Sequence, residues 1–267
     1  MFGMDGAQRS ILRQGAFANR RKPSQRPGRL ASVVVEELAH EIIGGTWSEG
    51  EVLPNEPALC AEFGFSRTVI REALKLLEER GLVRVEQGRG TTVQPRDSLN
   101  LLDPLVLQIA LEYDYDMALL DNLIAVRRVL EREMAFAAAT RLTDDELASL
   151  ADNLERMEAA YADYERFRAL DLGFHAIVMK ASGNEVGLTI VRAIHRHGGI
   201  TPLLSSGSSR AALARTVAAH QGVYEALAAR DGELAGQRLS DHIDAAWVER
   251  KKSQRSRSAR RSTSATR

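Results

Sequence analysis

The chain has 267 residues, of which 44% are hydrophobic, and its 36 Lys and Arg balance its 36 Asp and Glu. This length allows two domains with a sizeable core. No apolar run reaches the roughly 18 residues that a membrane helix needs, so we expect no membrane-spanning segment. Arginines interrupt the N-terminal segment, so we expect no signal peptide and a cytoplasmic location. The one cysteine, Cys60, excludes an intrachain disulfide.

Positive charge is concentrated at the two ends of the chain. Residues 9–29 hold seven Arg or Lys and no acid, and residues 250–267 hold eight and no acid. Such polar, basic segments favour disorder, and they either attract DNA without regard to sequence or only keep the ends soluble. The predicted organisation is a disordered basic tail over residues 1–28, a first domain over 29–96, a second domain over 97–250, and a second disordered tail over 251–267.

The first domain begins with a pattern typical of a helix-turn-helix. Residues 57–63 predict a short helix, Gly64 lies in the turn, and Ser66 is placed to cap a second helix. That second helix ends before Gly81, and it keeps its apolar residues on one side. Alternating residues then predict two strands joined by a Gly-Arg-Gly turn, which is the pattern of a wing.

Two parts of this unit fit double-stranded DNA. The second helix turns Arg67, Thr68 and Arg71 outward from its N-terminal end. A guanidinium can donate to two acceptors of guanine, and the glycines of the wing allow the backbone to approach DNA closely. The alternative is an ordinary α/β packing unit with exposed arginines. The predicted DNA-contacting residues are Ser66, Arg67, Thr68, Arg71, Gly88, Arg89 and Gly90.

Residues 95–100 interrupt the strand pattern of the wing, and the sequence after them predicts helices. Helices are predicted to begin near Asp103, Asp116, Thr143, Tyr164, Asn184, Ser209 and Gly232, with a loop over residues 198–208 and the last helix ending near Lys251. The predicted fold class is therefore mainly α, with an N-terminal winged helix-turn-helix and a C-terminal all-α antiparallel helical bundle.

Four residues of the helical half form a candidate metal site. Asp171 and His175 lie four residues apart and so share one face of a helix, while His220 and His242 lie on the apolar faces of the last two helices. Each histidine alone is adequately explained as a core residue. Three imidazoles and a carboxylate together favour a divalent metal ion, with zinc first and nickel or manganese as alternatives. His195 and His197 are competing candidates that end a helix, where the helix dipole is a sufficient explanation.

The two halves together resemble the GntR family of bacterial transcription regulators, in its FadR subfamily with an FCD ligand-binding domain. The first half matches at residues 50–54, 66–68, 70–74, 81–82 and 88–90, together with Leu59, Phe63, Leu77 and Val93. The second half matches at Arg127 with Glu131, Asp171 with Phe174 and His175, residues 182–184, His220 and His242. The chain departs from the family at Pro57 and Ala125, where relatives often carry a basic residue and a Glu.

The resemblance implies an effector site in the helical half. In the family an Asp and three His bind a divalent metal, and a carboxylate effector docks on it beside an Arg, which implies that Arg127 binds the effector here. The alternative role for Arg127 is an ion pair with Glu131 one turn along the helix. Residues 99–116 look most like regulators of sugar-acid catabolism such as the galactonate type.

These observations predict a transcription regulator rather than an enzyme. We expect a homodimeric repressor that binds operator DNA. A small carboxylate that binds near the metal is expected to release the protein from the DNA. The alternative function is an all-α metal-dependent hydrolase fused to a DNA-binding module. It would need a general base near the metal, for which only Asp241 and Asp244 are candidates.

Overall fold

The computed structural model describes residues 27–198 and 209–264, which form two compact units that divide after Tyr115. The predicted N-terminal tail lies outside the described residues except for its last two positions, with which the first helix begins. The predicted loop at residues 198–208 lies outside them as well, except for Gly198 at the end of a helix. No described helix is both long enough and apolar enough to cross a membrane.

The N-terminal unit is a winged helix-turn-helix, as predicted. Its elements are α1 (Pro27–Ile43), α2 (Glu56–Phe63), α3 (Arg67–Glu79), β1 (Val83–Glu86), β2 (Gly90–Val93), a short 3-10 helix (Arg96–Ser98) and α4 (Pro104–Glu112).

Local chemistry explains where the two central helices begin and end. The side chain of Asn55 accepts a hydrogen bond from the Ala58 amide at the start of α2, and Gly64 ends that helix at φ 69°. The Ser66 side chain accepts from the Val69 amide at the start of α3. These are the capping roles that such residues favour, so α3 begins at a fixed place.

The helix α1 was not among the predicted elements, and it packs on α3 in the core of this unit. Its apolar residues recur at helical spacing: Ala31, Val34, Val35, Leu38, Ala39 and Ile42 are all buried. The two strands of the wing pair antiparallel, with Val83 opposite Val93.

The helix α4 also belongs to this unit, although the sequence predicted a second domain from residue 97. Asp103 caps α4 and forms an ion pair with Arg80 at 3.0 Å. At the other end of the helix, Glu112 lies 3.8 Å from His40 of α1. These contacts explain why the compact units divide after Tyr115 and not at residue 97.

The C-terminal unit is an all-α bundle. Its helices are α5 (Ala118–Ala139), α6 (Asp144–Ala159), α7 (Tyr164–Ala181), α8 (Glu185–Gly198), α9 (Arg210–Ala228) and α10 (Gly232–Ser264). Thr143 and Glu146 form the predicted capping box at the start of α6. The backbone of α5 and α10 approaches closely where Gly232 and Gly236 face the carbonyls of Phe136 and Arg132.

The last helix corrects one expectation. Residues 251–264 are helical in the structure, where the sequence predicted a disordered tail over 251–267. The segment contains no Gly or Pro to end the helix, and its Lys, Arg, Gln and Ala residues are good helix formers. Low apolar content therefore does not exclude a helix.

Candidate functional site

The N-terminal end of α3 presents the predicted base-reading residues to solvent. Ser66, Arg67, Thr68 and Arg71 are all exposed, while the opposite side of the helix is buried. The Arg71 Nε lies 2.9 Å from both carboxylate oxygens of Glu56, the first residue of α2. Glu56 therefore does not act only on the helix dipole of α2, because it also binds Arg71 of α3.

The tip of the wing is exposed and depends on its glycines. Gly88 and Gly90 have φ angles of 79° and 95°, in the region that residues with side chains avoid. Between them, Arg89 extends into solvent and lies 3.6 Å from Glu86. The structure thus brings together on one unit two exposed groups that the sequence assigned to DNA. Pro57, which replaces the basic residue of many relatives, is exposed at the start of α2.

The four predicted metal ligands meet inside the C-terminal unit. Asp171, His175, His220 and His242 each offer a ligand atom, and these atoms all lie within 4.8 Å of one another. The three histidines are buried and Asp171 is partly buried. The Nε2 atoms of His175 and His220 are 3.3 Å apart, and the Asp171 Oδ1 lies 3.6 Å from His220 Nε2.

This donor set fits a divalent transition metal. Zinc bound tetrahedrally by nitrogens at about 2.0–2.1 Å separates neighbouring donors by about 3.3–3.4 Å, which agrees with the spacing of the two Nε2 atoms. Burial and the neighbouring His175 hold the pKa of His220 well below its usual value. Burial and the adjacent His220 do the same for the pKa of His242. Both rings are therefore neutral at physiological pH, which is the form that binds a metal.

A second cluster, which the sequence did not predict, adjoins the first. Its centre is Glu131 of α5, whose carboxylate is fully buried. One oxygen, Oε1, lies 2.5 Å from Arg127 Nε and 3.1 Å from His195 Nε2, and the other, Oε2, lies 2.5 Å from His175 Nδ1. The Arg127 guanidinium also contacts the His175 ring, with Nη2 3.3 Å from Nε2.

The charges around Glu131 keep it ionised in the interior. Burial alone would raise the pKa of this carboxyl, but the nearby Arg127 and His175 outweigh burial and hold the pKa well below its usual range. His195 is partly buried, and this burial together with the Arg127 charge lowers its pKa to about 4. The ion pair between Arg127 and Glu131, considered above as an alternative to effector binding, is therefore present.

The sequence contained a signal for Glu131 beyond its spacing from Arg127. Glu131 shares the buried side of α5 with Met134, Ala135 and Ala138, and a charged residue on such a stripe requires a partner. His195 was expected to matter only to the helix dipole, but its ring contacts Glu131. The side chain of His197 lies outside the described residues. Although Ala125 replaces an acidic residue found in relatives, Glu131 supplies Arg127 with a carboxylate partner.

Comparison with known families agrees with both halves. The profile of the gntR family of bacterial regulatory proteins matches residues 30–93, and that of the FCD domain matches residues 122–245. The chain belongs to the GntR family of bacterial regulatory proteins. It is a mainly helical transcription regulator, and its matched families and relatives are regulators rather than enzymes.

Similar proteins include regulators of two operons from Escherichia coli strain K12. The galactonate operon transcriptional repressor is 33% identical over 204 residues, which cover 76% of this chain and 89% of that protein. The Glc operon transcriptional activator is 32% identical over 170 residues, which cover 62% of this chain and 65% of that protein. The solved structure of Lar, which controls the Listeria monocytogenes agr system, shares the fold at 19% identity and a TM-score of 0.52, covering 87% and 99% of the two chains.

Proposed function

We propose that this protein is a repressor that binds operator DNA as a homodimer and is released when a small organic acid binds in the helical unit. One observation carries the effector half of this proposal. The Arg127 guanidinium lies against His175, whose ring belongs to a group of three buried histidines and a partly buried aspartate. A cationic side chain that could bind a carboxylate therefore lies next to a set of donors that could bind a metal.

The exposed residues of α3 and the wing support the DNA-binding half of the proposal. Two winged units related by a two-fold axis would place two copies of Arg67 and Arg71 on the half-sites of a pseudo-palindrome. Ser66 and Thr68 would contact phosphate or base edges beside them, and Gly88, Arg89 and Gly90 would contact the adjoining backbone. The protein would act in the cytoplasm, where such an operator is found.

The metal-binding half assigns Asp171, His175, His220 and His242 as ligands. Zinc fits this set of nitrogen and oxygen donors, and nickel or manganese are the alternatives. A bound ion would act as a Lewis acid toward a carboxylate oxygen of the effector. Arg127 would then hold the same carboxylate by paired hydrogen bonds, which a planar guanidinium donates well.

A sugar acid is the class of effector that we favour. The motivation is the galactonate operon repressor, which is 33% identical to this chain over most of its own length. The sense of regulation is also taken from that relative, since the Glc operon regulator is an activator with similar identity. Effector coupling in such proteins is usually worth about 1–3 kcal/mol, which is enough to change operator occupancy.

One experiment tests both halves together. The operator is first selected from a pool of random duplexes, and release of the labelled operator is then followed while sugar acids, including galactonate, and dicarboxylates are added with zinc present. We expect at least one sugar acid to release the DNA and to raise the melting temperature of the protein. If the protein selects no sequence, the DNA half of the proposal is wrong. If it selects a sequence but no acid changes its affinity, the effector half is wrong.

A further inference from the structure

The carboxylate of Glu131 contacts both Arg127, the proposed acid-binding residue, and His175, a proposed metal ligand. Both of its oxygens are engaged, with Arg127 and His195 on one and His175 on the other. It is fully buried and held by three different helices, since Glu131 and Arg127 lie on α5, His175 on α7 and His195 on α8. A group placed in this way can affect the two binding events separately.

We propose that Glu131 is a positioning residue that orients His175 for the metal ion and competes with the acid for Arg127. His195 is the second donor to Glu131, and it keeps the carboxylate hydrogen-bonded when Arg127 turns to the acid. This inference rests on the metal and effector sites proposed above. It adds that one buried carboxylate strengthens metal binding and weakens acid binding.

The ring of His175 is held by Glu131. Its Nδ1 lies 2.5 Å from Glu131 Oε2, and because an ionised carboxylate only accepts, a metal-bound His175 donates from Nδ1. The lone pair is then on Nε2, which faces His220 Nε2 at 3.3 Å within the proposed metal site. A carboxylate behind a metal-binding histidine fixes the ring and its tautomer, and losing such a partner typically costs 10–100-fold in metal affinity.

Arg127 is already paired with Glu131. Its Nε donates to Glu131 Oε1 at 2.5 Å, and its side chain is 18% exposed, so one edge of the guanidinium is already engaged. An acid that binds this group by two parallel hydrogen bonds must share it with Glu131 or displace it. Glu131 and the acid therefore compete for Arg127, and removing the Glu131 charge strengthens acid binding.

His195 also contacts Glu131. Its Nε2 lies 3.1 Å from Glu131 Oε1, the same oxygen that accepts from Arg127. A buried carboxylate oxygen that loses its only donor is strongly destabilised, so Arg127 is easier to release while a second donor remains. His195 therefore assists the acid without binding the metal, although Glu131, His175 and His195 also have the spacing of a metal site.

The test measures two affinities in the full-length protein. Zinc affinity is measured by competition with a chromophoric chelator, and acetate affinity is measured on the zinc-loaded protein by its thermal stabilisation. Acetate is the simplest carboxylate probe. The central variant is Glu131→Gln, and its matched control is Glu133→Gln, an exposed carboxylate two residues along the same helix.

We expect Glu131→Gln to weaken zinc binding by about 10–100-fold and to strengthen acetate binding by about fivefold or more. We expect Glu133→Gln to change neither. Effects of opposite sign separate positioning from general damage, because a misfolded site loses both affinities. Unchanged zinc affinity, or a loss of both affinities, would overturn the role of Glu131.

A second pair of variants tests His195 even if Glu131→Gln fails to fold. His195→Leu removes the donor, so acetate binding weakens by about fivefold or more while zinc binding stays the same. His195→Gln keeps an N–H donor, and it restores acetate binding. If His195→Leu lowers zinc affinity instead, His195 is a metal ligand and its proposed role is wrong. Wild-type protein that binds no zinc would contradict the proposed function itself, before any variant is compared.

Discussion

The guanidinium of Arg71 and the carboxylate of Glu56 link the two helices of the DNA-binding motif. The Arg71 Nε lies 2.9 Å from each oxygen of Glu56, and the Arg71 side chain remains 69% exposed. Glu56 fixes the direction of an arginine that otherwise has many rotamers. The pair also places a negative charge beside the surface that would face phosphate.

This geometry predicts that Glu56→Gln reduces sequence selectivity. The variant loses a charge that repels phosphate, so binding to random duplex should strengthen and its salt dependence should steepen by about one ion per subunit. Operator binding should gain less, because Arg71 is no longer held in place. The measurement is fluorescence anisotropy on operator and scrambled duplex at several salt concentrations. Glu49→Gln, which removes another exposed carboxylate of the same unit, is the control.

We predict that Arg67→Ala and Arg71→Ala each remove specific operator binding. Each change loses a charge-assisted contact worth about 1–3 kcal/mol per half-site, and a dimer loses it twice. Lys75→Ala, one turn further along α3, should weaken operator and random duplex by the same factor. Gel shifts on both duplexes make the comparison. Unchanged operator affinity in both arginine variants would show that α3 does not read the DNA.

Much of the fold could be predicted because its signals are local. Ser66, Asp103 and Thr143 all cap helices as the sequence indicated, since each cap involves residues only two or three positions away. The helix Pro27–Ile43 lacks an acidic first turn and follows a basic segment, so its start has no strong local signal. Its buried apolar residues were visible in the sequence all the same.

The candidate metal site leads to a prediction about stability. Purified protein should contain about one divalent metal per chain, and a chelator should lower the melting temperature, because a ligand that binds only the folded state stabilises it. His242→Ala should abolish both effects. His40→Gln, which alters a histidine of the other unit, should abolish neither. A metal-free preparation that is indifferent to zinc, nickel and manganese would contradict the site.

The contacts of Glu131 could not be predicted in the same way. Its helical spacing from Arg127 indicated one ion pair, but His175 and His195 come from helices 44 and 64 residues further along the chain. Which histidines reach the carboxylate depends on how three helices pack, and no local pattern fixes that. His195 was consequently assigned to the helix dipole, although its ring contacts Glu131.

The buried histidines predict acid sensitivity in the C-terminal unit. An unfolded histidine takes up a proton near pH 6.5, whereas burial lowers the pKa of His195 to about 4 and also lowers those of His220 and His242. The unfolded state therefore binds more protons below pH 6.5, and stability falls as the pH decreases from about 6.5 towards 4. Urea titrations with chelator present, followed by Trp247 fluorescence in a Trp47→Phe background, measure this. Constant stability over that range would contradict the prediction.

The last prediction separates the two roles of Arg127. Arg127→Ala should retain zinc and operator binding but should not release DNA when an acid that releases the wild type is added, because the hydrogen bonds to the carboxylate are lost. Arg127→Lys should fail nearly as badly, since an ammonium group cannot present two parallel donors. Effector titration of each protein bound to labelled operator measures the release.

The neighbouring residue provides a close control for this experiment. Arg128 lies on the same helix and pairs with Asp244 of α10 at 2.9 Å, so Arg128→Ala removes an arginine and an ion pair without touching the histidines. It should release operator at the wild-type effector concentration. If Arg127→Ala also releases operator at that concentration, Arg127 only neutralises Glu131, and the acid binds elsewhere. If Arg127→Ala alone requires much more acid, the guanidinium binds the effector as well as pairing with Glu131.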